Sequence, residues 1–119
     1  MEIQTIKVSE DDRTIVSLFM NEEYPINIDF NWLMPVVDKI ESLGFNTHIV
    51  NIKSGKKCLM HIYNFDGFSV SETGKNKIKI VYTNVVKFIK WYNENKEEIK
   101  WVEDILIMSN TKLVILLMQ

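Results

Sequence analysis

An α+β fold is predicted: a three-stranded antiparallel meander packed with helices, followed by a C-terminal apolar hairpin or added strands. Three observations point to it. Apolar residues recur at helical spacing before Gly44 and again after Gly74, while between those glycines the period falls to two. Turn chemistry at Ser54-Gly55 and Asp66-Gly67 cuts the middle stretch into three strands. The chain has 119 residues, 46% hydrophobic and 25% charged, with only four Gly and two Pro, which suits a single domain over 1–119 that buries a core without disulfide or metal.

Residues 1–10 alternate weakly through Ile3, Ile6 and Val8, as an N-terminal arm or an edge strand would. Asp11 and Asp12 then suit a helix N-terminus, where carboxylates accept orphan N–H groups and favour the dipole. Ile15, Val16, Leu18, Phe19 and Met20 continue that helix to about Asn21. Residues 22–31 read as a connecting loop, with Asp29 or Asn31 to cap a second helix. That helix, 32–43, carries Trp32, Leu33, Val36, Val37, Ile40 and Leu43 on one stripe and stops at Gly44. Pro35 fits it only if the helix starts late or its first turn is kinked.

Strands follow at 45–53, 57–64 and 68–72, and a two-residue turn at Asp66-Gly67 sets Phe65 opposite Phe68. The stretch 77–82 alternates like a strand, but Ile78, Val81, Val85, Phe88, Ile89 and Tyr92 keep the helical period for two further turns, which predicts a helix over 76–97. Lys75, Lys77, Lys79, Lys87 and Lys90 form its solvated face. The C-terminal extension 101–119 holds two apolar runs, 105–108 and 113–118, whose side chains need cover on both faces.

Net charge is −2, and a nucleic-acid binder usually shows a basic excess, so nucleic acid is not an expected partner. The longest apolar run, Leu113 to Met118, is far short of the ~20 residues that span a bilayer, and acidic residues interrupt any early leader-like run, so no membrane association is expected. One cysteine, Cys58, excludes an intrachain disulfide and suits a reducing cytoplasm.

The chain lacks a Gly-rich phosphate loop, a G-x-S-x-G elbow and an H-E-x-x-H motif, which points away from an enzyme. His48 and His61 would approach each other on paired strands, and Cys58 lies nearby in sequence. Cys58 and His61 stand three positions apart on one strand, however, so they face opposite sides, and neither a metal site nor a cofactor is expected. The better candidate for ligand or partner binding is the loop with Tyr24, Asn27, Asp29, Asn31 and Trp32, which combines flat apolar surface with hydrogen-bonding groups suited to a planar polar ligand or a protein. Helix capping by Asp29 and Asn31, with Tyr24 and Trp32 filling the core, explains the same residue types. A second aromatic group, Trp91 and Trp101, with Leu113, Ile115 and Leu117, is the candidate interface of a homo-oligomer, with a two-fold dimer as the default.

Three stretches carry a resemblance: Ile15-Val-Ser-Leu-Phe-Met20, Asn31-Trp-Leu-Met-Pro-Val-Val-Asp-Lys-Ile-Glu-Ser-Leu-Gly44, and Val85-Val-Lys-Phe-Ile-Lys-Trp-Tyr-Asn93. They resemble a family of small uncharacterised phage and prophage proteins, found also in Bacteroidetes-type genomes, whose layout is similar to the phage ABA sandwich domain. The resemblance covers roughly 12–95, and its most specific piece is Trp32-Leu-Met-Pro-Val-Val37. The resemblance implies an aromatic, a small polar pair and an acidic residue before that Trp. Tyr24 and Asp29-Phe-Asn31 stand there in this chain, without the small polar pair. The family itself supplies no activity; together with the small size and the missing catalytic motifs, the resemblance leads to the expectation of a non-enzymatic phage or mobile-element protein that occupies a host protein or sequesters a small ligand, with antagonism of host defence inferred from the genomic setting alone. The alternatives are a structural or regulatory homo-oligomer and a small hydrolase or nucleotide-processing enzyme.

Overall fold

A computed structural model describes residues 4–53 and 55–95. The predicted C-terminal hairpin, and with it Trp101, Leu113, Ile115 and Leu117, lies outside the described residues.

The first helix, α1 (Glu10–Met20), begins one residue before Asp11 and two before Asp12, the residues that the sequence suggests for its N-terminus. Ser9 is the cap: its hydroxyl accepts the Asp12 N–H at 3.2 Å, while Glu10, Asp11 and Asp12 crowd the first turn, where the dipole favours negative charge. With the cap held by Ser9, the Asp12 carboxylate serves another end. It accepts the Tyr82 hydroxyl and lies 3.6 Å from Lys90 Nζ, tying α1 to the helix that carries both residues. Asn21, left-handed at φ 54°, ends α1.

The stretch 22–31 is not loop throughout. Two short strands, β1 (Ile6–Lys7) and β2 (Asn27–Ile28), pair antiparallel, with Ile6 opposite Ile28, so the N-terminal arm is an edge ribbon that closes over one end of the core. The second helix, α2 (Phe30–Ser42), starts earlier than the predicted 32–43 and holds Pro35 past its first turn. Proline removes the N–H that would bond to the Asn31 carbonyl. Asn31 and Pro35 are both exposed, so water can serve that carbonyl and the break is tolerated. Leu33, Val36, Val37 and Ile40 are buried, and Gly44 at φ +97° turns the chain out of the helix.

Strands β3 (Asn46–Ile52), β4 (Lys57–Tyr63) and β5 (Ser69–Gly74) form the predicted meander, with β4 central. The second hairpin is wider than the sequence suggests. Tyr63 faces Ser69, the Asn64 N–H donates to the Phe68 carbonyl at 3.0 Å, and residues 65–67 form a three-residue loop. Phe65 therefore does not face Phe68. The cause is Asn64, whose Oδ1 accepts the N–H groups of both Asp66 and Phe68, at 3.1 and 2.9 Å, with Gly67 at φ +105° closing the loop.

The third helix, α3, occupies 77–95 of the described residues, as its longer helical stripe predicts. It lies across the inner face of the meander. Ile78, Val81, Val85, Phe88 and Ile89 are buried with Cys58, Met60 and Ile62 of β4. Asn84, fully buried among them, donates from Nδ2 to the Met60 carbonyl at 2.8 Å, and Lys87 pairs with Glu72 at the rim. Phe45, Phe68, Phe88, Trp91 and Tyr92 close one end of this layer as an aromatic cluster.

Two tyrosines make the fold sensitive to alkali. Burial, followed by the nearby Glu22 charge, pushes Tyr24 up to about 12. Burial, followed by the Asp12 carboxylate that accepts the hydrogen bond from its hydroxyl, raises Tyr82 as well. A phenol in the unfolded chain ionises near pH ~10. The folded state therefore holds these protons longer, so their contribution is complete below that pH and is lost as pH rises through the folded values. The thermal midpoint should be level near neutrality and fall above pH ~10, with a shallower fall in Tyr24→Phe. Identical alkaline slopes for that variant and the parent would show that Tyr24 does not contribute.

Candidate functional site

The loop singled out by sequence divides into two structural roles. Tyr24 is 2% exposed. Its hydroxyl donates to the Trp32 carbonyl at 2.9 Å, its N–H donates to Ser17 Oγ at 3.0 Å, and its carbonyl accepts Arg13 Nε at 2.5 Å. Trp32 packs edge-on against the Tyr24 ring, 4.9 Å between centroids, and is half-buried. Asp29 is the α2 cap, accepting the Asn31 N–H at 2.9 Å. Asn27 and Asn31 are exposed, Asn27 within β2. The structure thus brings Tyr24 to Trp32 and Asp29 to Asn31. The packing and capping explain three of the five residues and leave two amides on the surface. Trp91, the described member of the second aromatic group, is half-buried against Phe68 at 4.0 Å.

Sequence reasoning missed a different surface. Strand alternation and the register place Asn46, His48, Val50 and Ile52 of β3 beside Tyr63, His61, Leu59 and Lys57 of β4, with Ser69, Ser71 and Thr73 of β5 completing the row. All of these lie on the face turned away from α3, and every one is exposed or half-exposed. His48 and His61 are direct cross-strand partners. Both rings stack on Tyr63, His48 at 5.6 Å and 16°, His61 at 4.6 Å and 25°. Hydrogen bonds fix the rings: His48 Nε2 lies 3.1 Å from the Tyr63 hydroxyl and His61 Nε2 lies 2.7 Å from Ser69 Oγ.

Phe65 extends the stack at the hairpin tip, edge-on to Tyr63 at 6.0 Å and 90% exposed. At the far end Val50, 45% exposed, faces half-exposed Leu59, with Lys57 beyond it and Lys53 and Lys56 in the turn. Cys58 points the other way, into the core, so it does not join the histidines. Among the described residues no group of three or more His, Cys, Asp or Glu could hold a metal ion, and no helix is long and apolar enough to cross a membrane. The signal in the sequence was the shared parity of His48 on one strand and His61 and Tyr63 on the next.

A second surface feature lies between the helices, a groove lined by Leu18, Phe19, Lys39, Leu43, Tyr92 and Asn93. Its one cation is already engaged: the Lys39 ammonium donates to the Phe19 carbonyl and sits 4.6 Å above the Phe19 ring. Comparison with known proteins finds no match to a family model, to a curated protein or to a solved structure.

Proposed function

We propose that this chain is a non-enzymatic binding domain whose contact surface is the open face of the β3-β4-β5 sheet, and that it acts by occupying a partner. One observation carries the reading. Phe65 is 90% exposed, yet it stands on a loop fixed by two N–H groups, of Asp66 and Phe68, that donate to the Asn64 side-chain oxygen, and it abuts a ring stack that is itself held by hydrogen bonds. A large aromatic side chain kept in water on a rigid support has the form of an interface anchor, because little conformational freedom is lost when it is covered. The expected mobile-element setting, drawn from 15–20, 31–44 and 85–93 alone, would make occupying a host component to blunt host defence the matching role.

The test is photo-crosslinking capture from host lysate with the full chain. Phe65→Ser should keep the parent's thermal midpoint within a few degrees, since the side chain touches little, and should lose the captured partner. Capture that survives Phe65→Ser but disappears in Asn27→Ala with Asn31→Ala would move the contact to the Tyr24–Trp32 loop.

A further inference from the structure

The chemistry of the open sheet face names a ligand class, an inference that rests on that face being the contact surface. The net charge of −2 averages over two unlike sides of the molecule. The eleven outward positions of the three strands hold Asn46, His48, Val50, Ile52, Lys57, Leu59, His61, Tyr63, Ser69, Ser71 and Thr73, with no carboxylate among them. Glu72, the one acidic residue on these strands, falls between those positions and is paired with Lys87 on the α3 side. The acids of α1 and α2 belong to the helical layer, and Asp66 in the hairpin loop is the nearest acid in sequence to the ring stack. Lys53, Lys56 and Lys57 are exposed together at the opposite hairpin. One face of an acidic protein thus carries cations and aromatic rings, with Asp66 at the hairpin tip as the acid at its edge.

We propose that this face binds single-stranded nucleic acid. Three features match that ligand. First, Tyr63, His48, His61 and Phe65 offer flat rings for unpaired bases, and base–aromatic stacking tolerates any sequence. Second, the lysines lie where a strand crossing from Phe65 along β4 would bring its phosphates, about 20 Å away at the rise of an extended chain. Third, Ser71, Thr73 and Asn46 line that path with hydroxyl and amide groups suited to sugar, phosphate and base edges. A regular duplex hides its base faces and cannot use the rings, so the single strand is the favoured form. An acidic peptide shares the charge but gains nothing from the stack.

Fluorescence anisotropy with the full-length protein and a short labelled oligothymidylate at low salt tests this, with the duplex form and labelled oligoglutamate as parallel probes. Binding to the single strand is expected to be tighter than to either alternative and to weaken as salt rises. Tyr63→Ser and Phe65→Ser should each lower affinity about tenfold or more, and Lys56→Glu with Lys57→Glu should flatten the salt dependence. Leu18→Ser, on the exposed side of α1, should change nothing. The proposal is overturned if the oligothymidylate fails to bind, binds Tyr63→Ser as well as the parent, or is matched by oligoglutamate. If it fails while lysate capture still depends on Phe65, the nucleic acid is dismissed and the contact surface stands.

Discussion

Val85→Asp is expected to cost about 4 kcal/mol or more, a large share of the roughly 5–15 kcal/mol that holds a domain folded. Val85 has no exposure and lies midway along α3, one turn from Val81 on one side and Ile89 on the other, against the inner face of the sheet. A carboxylate there must either stay ionised without a partner or take up a proton at a cost, and both are unfavourable. Lys87, two residues on, projects to the rim, exposed and paired with Glu72. Lys87→Ala should cost less than about 1 kcal/mol, the usual worth of an exposed ion pair. Urea denaturation of both variants decides the matter, and comparable losses would show that the buried side of α3 has been misassigned.

Phe88→Ala should cost about 3–5 kcal/mol, close to the first loss but by another route. The Phe88 ring, fully buried, contacts Phe45 at 4.7 Å, Phe68 at 5.7 Å, Tyr92 at 5.8 Å, Trp91 at 6.0 Å and Phe19 at 6.2 Å between centroids. It is the hub where α1, α3 and the start of β3 meet. Removing it leaves a cavity between rings too rigid to collapse into it. Phe88→Leu, which fills much of that space, should recover more than half of the loss. A Phe88→Ala protein with the parent's denaturation midpoint would mean that the cluster contributes little to stability.

The elements most legible in the sequence are those in which one residue type has one physical role. Gly44 marks the change of hydrophobic period because only glycine sits easily at φ +97°, and the stripe from Ile78 to Tyr92 outlasts the strand-like alternation at its start. The misread places are those where a side chain chose between two local arrangements. Asp66-Gly67 signals a hairpin but not its length, and Asn64 lengthens it by taking two N–H groups. That one-residue difference decides whether Phe65 packs or stands in water. The site followed the same rule. Parity alone could place His48, His61 and Tyr63 together, whereas the exposure of Phe65 required the loop. Tyr24 and Trp32 drew attention as a binding pair because burial and recognition call for the same residues.

The order in which the chain is made bears on how the meander survives until it is covered. Strands β3, β4 and β5 pair only with their neighbours in sequence, so the sheet can form as soon as residue 74 is available. Its inner side, with Cys58, Met60 and Ile62, then lacks the cover of α3 until residues 78–89 follow from the ribosome, at about 5–20 residues per second. For roughly a second the part of the sheet that α3 covers is open to the cell, while the other side is already polar and aromatic. A chaperone that takes hold in that interval meets the side that α3 will later claim.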